Sequence, residues 1–552
     1  MSAISVFGPD FPFAYDDWLA HRDGLGELPV ASRGQRVAIV GAGLSGLVAA
    51  FELMRIGLRP VLYEAGRMGG RLRSQEFENA PGIVAELGGM RFPASATTFN
   101  HYVNLTGLKT QPFPNPLTPA AGSTVVDIAG EPVYANTLDD LPEIYKQVAL
   151  AWQQSLNVDA QFEPLQQAIK DRDVKRIKAL WDPLVRDWDE RTFYDFLANS
   201  DAFRRLSFRH KEIFGQVGFG TGGWDSDFKN TMLEILRVVL TDCDSSQSLI
   251  VGGAEQLPRR LWEHQVKPNL ASSTISLSDL NNGAPRGAVT HIKRAPDMSL
   301  QVSDQYGNVD HFDAVLVTCQ SWLLTTSIKT DEQLFSQAHW MALDRTSYMQ
   351  SSKTFVMVDR PFWKDKQDQS NRDVMSMTLT DRLTRGTYLF DNGPDKPAVI
   401  CLTYSWNADA LKMLPLNATR RADLALDALS QIYPTVNIRS HIIGKPITIS
   451  WESDPNFLGA FKGALPGHYR YNRRMYTHFM QQHMPVEQQG IFIAGDDVSW
   501  TPGWAEGAVQ TALNAVWGIV RHFGGRSAAS NPGPGDLFDA CKPLDLEDGD
   551  AH

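Results

Sequence analysis

Arg36-Val-Ala-Ile-Val-Gly41-Ala-Gly43-Leu-Ser-Gly46 is the stretch of sequence that decides the fold of this chain. Val37 to Val40 predicts a buried β-strand, the three glycines predict a tight turn, and Leu47 to Arg55 predicts a helix. Such a turn presents backbone N–H groups and a helix N-terminus to a pyrophosphate. Glu64 ends a second predicted strand, where a carboxylate accepts a hydrogen bond from a ribose hydroxyl. The glycine motif alone is a weak signal, but together with the strand, the helix and the acid it predicts a dinucleotide-binding unit.

Two further segments favour FAD over NAD as the dinucleotide. Met68-Gly69-Gly70-Arg71-Leu-Arg73-Ser74 follows Glu64 directly, and a simple dehydrogenase has no need of it. Ile491-Phe-Ile-Ala-Gly495-Asp496-Asp497 lies more than four hundred residues later. Taken alone, the late segment is typical of a buried strand and turn. Taken with the glycine motif and Glu64, it predicts a second part of the same nucleotide site.

These segments together resemble the flavin amine oxidase family, in which the Gly-Gly-Arg segment lies along the cofactor and the late acid faces its ribityl or pyrophosphate region. Glu86-Leu-Gly-Gly-Met-Arg91-Phe-Pro93, Ser351-Ser-Lys353-Thr-Phe-Val and Trp504-Ala-Glu-Gly-Ala-Val-Gln-Thr511 resemble the bacterial amino-acid oxidases and monooxygenases of that family. The resemblance covers nearly the whole chain. It implies an α/β fold in which a discontinuous Rossmann-like FAD-binding domain is interleaved with an α+β substrate domain. The cofactor residues that it implies are Gly41, Gly43, Ser45, Gly46, Glu64, Ala65, Gly70, Arg71, Gly89, Met90, Arg91, Val289, Gly495, Asp496, Trp504 and Ala505.

Within the family, the chain is most similar to the L-lysine 2-monooxygenases and more distantly similar to the tryptophan 2-monooxygenases. The segments that carry this are Phe7-Gly-Pro-Asp-Phe-Pro-Phe, Gly218-Phe-Gly-Thr-Gly-Gly-Trp-Asp-Ser-Asp227 and Phe461-Lys-Gly-Ala-Leu-Pro-Gly-His-Tyr-Arg470. The resemblance implies that an L-amino acid, L-lysine, transfers a hydride to flavin N5, that O2 reoxidises the flavin, and that the products are 5-aminovaleramide and CO2. The alternative is an L-amino acid oxidase of basic or broad specificity that yields keto acid, ammonia and H2O2.

The length of 552 residues exceeds one ordinary domain, so two interleaved domains are expected. The FAD-binding domain is assigned residues 34–95, 247–324 and 488–525, because its first and last strands lie near residues 37 and 491. The substrate domain takes residues 96–246 and 325–487. Residues 1–33 form an N-terminal extension. Residues 526–552, which contain Asn531-Pro-Gly-Pro-Gly535, are expected to be partly ordered at most.

Composition excludes several classes of protein. A net charge of −11 without a basic cluster argues against a nucleic-acid partner. The four cysteines have no CxxC spacing, which fits a reducing cytoplasm. We expect no signal peptide, no membrane span and no metal site. A homo-oligomer, dimer or higher, is expected.

Arg91 and Tyr404 are the candidates for binding the substrate carboxylate. Arg91 follows a Gly-Gly turn, and a planar guanidinium grips a carboxylate with two hydrogen bonds. The residue pattern alone leaves a surface or domain-bridging arginine equally open, and the resemblance favours the carboxylate role. Tyr404, at the end of a predicted strand, could give the same carboxylate a second donor.

Lys353 and three aromatic residues are the candidates for the reacting centre. Lys353 lies in an otherwise apolar strand, where a lysine is rare without a partner. The resemblance implies that it holds a water against flavin N5, and the alternative is a lysine that snorkels at a sheet edge. The resemblance also implies that Phe461 and Trp504 form an aromatic sandwich in front of the flavin. Trp406 falls on the same strand face as Tyr404 and predicts a further wall. Lys462 is left without a role.

Asp227 is the candidate that decides the substrate class. The resemblance implies that it receives the distal ammonium of lysine, and an unpaired buried carboxylate would oppose phenylalanine or tryptophan. The alternative is an Asx turn or a helix cap before Asn230-Thr-Met-Leu-Glu-Ile-Leu. Cys243 matches a pocket cysteine associated with the balance between oxidase and monooxygenase chemistry, although most free cysteines are inert core residues.

Overall fold

A computed structural model of the chain describes residues 8–217, 223–268, 273–367 and 371–546. Phe7 and residues 218–222, which belong to two of the segments quoted above, lie outside the described residues.

The strands of the described part are, in chain order, β1 Arg36–Val40, β2 Arg59–Tyr63, β3 Ser74–Phe77, β4 Ala80–Glu86, β5 Phe92–Pro93, β6 Thr110–Pro112, β7 Thr124–Ile128, β8 Glu131–Ala135, β9 Gln247–Ile250, β10 Val289–Arg294, β11 Leu300–Asp304, β12 Val309–Phe312, β13 Ala314–Val317, β14 Lys329–Thr330, β15 Tyr348–Met349, β16 Ser351–Val358, β17 Lys366–Gln367, β18 Arg372–Asp373, β19 Met377–Thr380, β20 Gly386–Phe390, β21 Ala398–Trp406, β22 Ile442–Ser450, β23 Phe461–Lys462 and β24 Ile491–Ile493.

The α-helices of the described part are α1 Tyr15–Ala20, α2 Leu44–Ile56, α3 Thr97–Leu105, α4 Glu143–Asp159, α5 Phe162–Lys170, α6 Val174–Trp188, α7 Phe193–Asn199, α8 Asp201–Arg204, α9 Phe208–Val217, α10 Met232–Leu240, α11 Gln256–Glu263, α12 Leu277–Leu280, α13 Leu323–Thr326, α14 Gln337–Arg345, α15 Asn407–Met413, α16 Ala418–Ile432, α17 Tyr469–Tyr476, α18 Ala505–His522 and α19 Phe538–Cys541.

A parallel sheet of order β2-β1-β13-β24 joins three distant parts of the chain. Ile39 pairs with Leu62 on one side and Leu316 on the other, and Val315 pairs with Ile491. Its strands are buried on both faces, because Ile39 packs in the core that holds α2 and α18, while Ala38 and Val40 pack in a second core with residues of β10, β11 and β12. Helix α2, which follows β1, packs in the same hydrophobic core as α18. The strands come from all three segments assigned to the FAD-binding domain, while the exact boundaries stay a prediction.

A larger, mostly antiparallel sheet of order β22-β16-β21-β20-β19-β7-β8 carries Lys353, Tyr404 and Trp406. Lys353 of β16 pairs with Tyr404 of β21 and with Ile449 of β22, so β16 is an interior strand. The sheet-edge alternative for Lys353 is therefore wrong. Helices α4 to α10 form a separate layer that begins after β8 and ends before β9.

The C-terminal segment packs on the rest of the molecule up to residue 546. The indole N–H of Trp517 donates to Asp536 over 3.0 Å, and the rings of Phe538 and Phe11 lie 6.0 Å apart between centroids. Cys541 is buried. The expectation that this tail is partly ordered at most is wrong for residues 526–546, because apolar residues of the N-terminal extension cover it.

No helix in the described part of the chain combines the length and the apolar character needed to cross a bilayer.

Candidate active site

One cavity of about 590 Å³ runs from the β1–α2 turn to strands β16 and β21 of the larger sheet. It brings together the side chains and turns predicted from distant parts of the sequence. The predicted residues that line it are Gly41, Gly43, Ser45, Glu64, Ala65, Gly70, Arg71, Gly89, Met90, Arg91, Asp227, Val289, Lys353, Tyr404, Trp406, Phe461, Gly495, Asp496, Trp504 and Ala505.

The turn between β1 and α2 has the form of an anion site. Gly41 has a φ of +107°, and a Cβ atom there would lie 2.9 Å from Thr318 Oγ1. Helix α2 begins after Gly43 without a side-chain cap and has no acid in its first turn, so its first N–H groups are left for a ligand. The Ser45 hydroxyl, in that first turn, is buried without a hydrogen-bond partner in the described part of the chain. A dinucleotide pyrophosphate fits this arrangement.

Gly46 does not line the cavity, so its predicted contact with the cofactor is corrected to a packing role. A Cβ atom at Gly46 would lie 2.0 Å from the carbonyl oxygen of Gly41 and 2.8 Å from Thr318 Oγ1. This close approach lets α2 pack on the strand ends, which is the usual reason for the third glycine of such a motif.

Glu64 is fixed by the backbone beside the same turn. Its Oε2 accepts from the Ala42 N–H and its Oε1 accepts from the Gly66 N–H, each over 2.8 Å. Burial raises the pKa of Glu64, while these backbone donors lower it. Each carboxylate oxygen keeps a further lone pair, so the acid can still accept hydrogen bonds from ribose hydroxyls.

Arg71 and Asp496 form an ion pair on the wall of the cavity. Two guanidinium nitrogens of Arg71 donate to the two carboxylate oxygens of Asp496, one of them over 3.0 Å, and Arg71 also donates to the Ala460 carbonyl over 2.8 Å. The Gly503 N–H donates to Asp496 over 3.2 Å. The early Gly-Gly-Arg segment and the late acid are thus joined directly, which the sequence reasoning did not foresee.

Lys353 is enclosed beside the centre of the cavity. Its Nζ donates to the carbonyl oxygens of Glu86, over 3.1 Å, and Gly88, over 2.5 Å, and lies 4.6 Å from the centroid of the Tyr404 ring. Burial lowers the pKa of the Lys353 ammonium and raises the pKa of the Glu86 carboxyl, and the charge of each group opposes the shift of the other. An ammonium has three donors, so one remains for a water or a ligand.

Arg91 and Tyr404 lie close enough to interact electrically. The Arg91 guanidinium stacks 5.7 Å from the Phe113 ring centroid and is a hydrogen-bond partner of Tyr388. Burial raises the pKa of Tyr404, while the Arg91 charge lowers it and the Asp227 charge raises it. Tyr404 therefore lies within the electrostatic fields of both Arg91, the residue predicted to bind the substrate carboxylate, and Asp227, the residue predicted to bind the distal ammonium.

Aromatic rings wall the cavity between these charged groups. The rings of Tyr404 and Trp406 meet edge to face at 5.3 Å, and those of Trp406 and Phe461 at 5.8 Å. Trp504 lines the same cavity as the residue before α18. These rings exclude water and leave the charged groups in a low-dielectric environment.

Asp227 faces the cavity from a 3₁₀ turn, Trp224–Asp227, just before α10. The helix cap is Thr231, whose hydroxyl accepts from the Leu233 N–H, so the helix-cap alternative for Asp227 is wrong. Asp227 accepts a hydrogen bond from Asn230 Nδ2 over 3.0 Å. Burial, together with the charges of Glu234 and Asp225, raises its pKa to about 7.

Three charged cavity residues, Glu234, Asp244 and Lys462, were missed or left unassigned by the sequence reasoning. Glu234 of α10 accepts from the Ala464 N–H over 3.3 Å, and the buried Lys462 donates to the Ser499 carbonyl over 3.2 Å. Burial raises the pKa of Glu234, and the charges of Arg237 and Lys462 lower it. The signal was available, because an acid inside an apolar helix and a lysine in a buried segment are both unusual without a role.

Cys243 does not line the cavity, which corrects its predicted place in the pocket. Its side chain is fully buried, and its Sγ shares a hydrogen bond of 3.2 Å with Thr241 Oγ1. Burial raises the pKa of its thiol to about 12. The next residue, Asp244, lines the cavity instead.

The parallel sheet with its glycine turn, joined to an antiparallel sheet through one shared cavity, defines a flavoprotein of the amine oxidase fold. Among solved structures, a putrescine oxidase with bound putrescine matches with a TM-score of 0.66 and 19% identity, covering 88% of this chain and 99% of that one. Cyclohexylamine oxidase from Brevibacterium oxydans matches with a TM-score of 0.64 and 18% identity over the same shares.

Sequence comparison gives the family. The model for flavin containing amine oxidoreductases matches residues 44–520, and the chain belongs to that family. The tryptophan 2-monooxygenase of Pseudomonas savastanoi is 31% identical over 544 residues, which cover 92% of this chain and 93% of that protein. An L-amino-acid oxidase of Mus musculus is 24% identical over 89% of this chain and 72% of that protein. The chain is therefore an FAD-dependent oxidoreductase of amines or amino acids.

Proposed function

We propose that this enzyme oxidises L-lysine and decarboxylates it to 5-aminovaleramide and CO2, with O2 as the oxidant. The observation that carries the choice of lysine is the Asp227 carboxylate, which faces the cavity and has no cation within 4 Å in the described part of the chain. The cation that lowers its pKa is Lys229, whose side chain is exposed. A substrate with a distal ammonium would supply the missing charge.

The neighbouring acids support this because each already has a cation. Asp225 pairs with Arg385 over 3.2 Å, and Glu234 lies in the fields of Arg237 and Lys462. Arg237 in turn pairs with the buried Asp10 over 2.7 Å. A buried carboxylate without a partner is costly, so binding a cationic side chain beside Asp227 brings a gain that the paired Asp225 would not give.

The remaining side chains orient the amino acid. Arg91 and Tyr404 bind its α-carboxylate, and the aromatic wall of Trp406, Phe461 and Trp504 excludes water around its α-amine. A dry aromatic site lowers the pKa of an ammonium, which favours the neutral amine that oxidation requires. Bound FAD supplies the hydride acceptor. Lys353, with one ammonium donor left, holds a water near the reacting centre.

Tryptophan is the substrate in the names of several curated relatives, and it is a poorer choice for this cavity. An indole beside Asp227 would leave a desolvated carboxylate without a charge partner, or require its protonation. A site built to pair with a charged side chain strongly rejects a substrate that lacks the charge. A hydrophobic pocket discriminates much more weakly between substrates that differ by one methylene group.

An L-amino acid oxidase of basic or broad specificity remains the second candidate. Cys243 lies outside the cavity, so the side chain connected with monooxygenase chemistry cannot act there by direct contact. The two outcomes separate in the products from lysine under air with catalase present. Amide that persists with catalase supports decarboxylation in the cavity, and keto acid alone would favour the oxidase.

The test of substrate choice is flavin reduction without oxygen. Asp227→Ala should weaken reduction by L-lysine far more than reduction by L-methionine or L-phenylalanine, because only lysine uses the carboxylate. Stopped-flow spectroscopy measures the apparent Kd and the limiting rate for each. Equal losses for all three amino acids would make Asp227 structural and end the proposal of a basic substrate.

A further inference from the structure

Asn407 occupies an unusual position at the end of the strand that walls the cavity. It directly follows Trp406, the last residue of β21, and has a φ of +48° in the left-handed region. Its N–H donates to the Gln350 carbonyl over 3.0 Å, and its side chain is buried. Strained backbone of this kind persists where the surrounding contacts determine it, and asparagine tolerates it better than most residues.

The side chain of Asn407 connects two walls of the cavity. Its Nδ2 donates to the Ser226 carbonyl over 2.7 Å. Ser226 directly precedes Asp227 in the 3₁₀ turn. A single side chain therefore joins the strand that carries Tyr404 and Trp406 to the turn that carries the distal acid.

Arg385 holds the same turn from a second side. It too has a left-handed φ, of +56°, at the turn between β19 and β20. Its guanidinium contacts Asp225 over 3.2 Å, Asp409 over 2.7 Å, and the Gln216 side chain. Asp409 lies two residues after Asn407, so both contacts belong to one connected support.

We propose that Asn407 is a positioning residue that sets the separation between the Tyr404 strand and Asp227, and so makes the site sensitive to the side-chain length of a basic amino acid. Arg385 supports the same turn. The inference rests on the proposed function, since it requires Asp227 to receive the distal cation. Lysine and ornithine differ by one methylene group, and a fixed separation between the two anchors suits one of them.

The test replaces Asn407 with glycine, which keeps the left-handed backbone and removes the side-chain contact. Anaerobic flavin reduction gives the apparent Kd and limiting rate for L-lysine, L-ornithine and L-norleucine, which has the lysine skeleton without the ammonium. Asn407→Gly should raise the Kd for lysine about tenfold, equivalent to one hydrogen bond of about 1.4 kcal/mol. The Kd for norleucine should change by less than about twofold, and the preference for lysine over ornithine should shrink about fivefold or more.

Asn282→Gly is the matched control, because Asn282 has the same left-handed conformation, with a φ of +54°, in an exposed turn. Asn282→Gly should leave the apparent Kd and the limiting rate unchanged for all three amino acids. Arg385→Gln tests the same turn through its second contact and should also reduce the preference for lysine over ornithine. The flavin absorbance spectrum shows whether this variant retains the fold.

The outcomes separate this inference from the function on which it rests. The positioning role would be overturned if the apparent Kd changed equally for lysine and norleucine in both Asn407→Gly and Arg385→Gln, or changed in neither variant. If Asp227→Ala does not weaken flavin reduction by lysine selectively in the same assay, the proposed function itself fails. A lysine-selective loss in Asp227→Ala without one in Asn407→Gly overturns the positioning role alone.

Discussion

Arg91 and Asp227 are the two residues on which the amino-acid assignment depends, and Tyr404 lies within the fields of both. In the proposed function Arg91 binds a negative group and Asp227 a positive group, so together they would select a zwitterion with a cationic side chain. Neither role follows from the cavity shape alone.

Arg91→Lys should weaken amino-acid binding and leave FAD in place. A lysine offers a point charge where the guanidinium offers two parallel hydrogen bonds. We expect a loss of about 2 kcal/mol or more, as for other buried charged hydrogen bonds. The apparent Kd in stopped-flow flavin reduction measures it. An unchanged Kd would remove Arg91 from the substrate site.

The affinity for lysine should fall as the pH drops below about 7, where burial and two nearby acids place the pKa of Asp227. The carboxylate binds the cation and the protonated acid does not, so binding is favoured above this pKa and lost below it. Each pH unit below it should raise the ratio of the Kd for lysine to that for norleucine about tenfold. Norleucine corrects for every other group that titrates. A ratio independent of pH between 5 and 8 would contradict the role of Asp227.

Two glycines at the β1–α2 turn have different tasks: Gly46 allows close packing of helix α2, and Gly43 faces the cofactor cavity. Gly46→Ala should destabilise the flavin-free protein, because its Cβ meets the Gly41 carbonyl at 2.0 Å. Gly43→Ala should leave that protein's melting temperature nearly unchanged and weaken FAD binding, since its Cβ meets only Gly70 Cα, at 3.9 Å. Thermal unfolding of the stripped protein and FAD titration measure the two effects. Equal melting temperatures for both variants would contradict the assignment.

The elements that the sequence predicted well are those whose signal is local. The apolar strand β1, the glycine turn and α2 follow one another within about twenty residues, and their pattern is typical of one unit. The antiparallel placement of Lys353 beside Tyr404 agrees with the strand runs around each residue. The general position of the cavity could therefore be predicted from motifs.

The contacts that sequence could not predict join distant parts of the chain. Asp10 and Arg237 are separated by 227 residues, and their ion pair depends on how the N-terminal extension packs against α10. Cys243 does not line the cavity, and its thiol shares a hydrogen bond with Thr241 in the turn after α10. Neither orientation has a local signature, since it is decided by tertiary packing.

For the whole molecule, we expect tightly bound FAD without a covalent link. Of the four cysteines, Cys319 is the one that lines the cavity, beside the glycine turn, and burial raises the pKa of its thiol to about 12. A thiol that stays protonated is a poor nucleophile. Denaturation followed by filtration should release all the flavin. Yellow colour on the precipitated chain would refute this prediction.

We propose above that the molecule is an L-amino acid oxidising flavoenzyme that prefers a basic substrate. The most direct measurement is an anaerobic screen of the twenty amino acids by bleaching of the flavin absorbance. The account predicts that L-lysine bleaches the flavin with the highest ratio of rate to apparent Kd, and that D-lysine does not. Faster bleaching by tryptophan, or no bleaching by any amino acid, would contradict it.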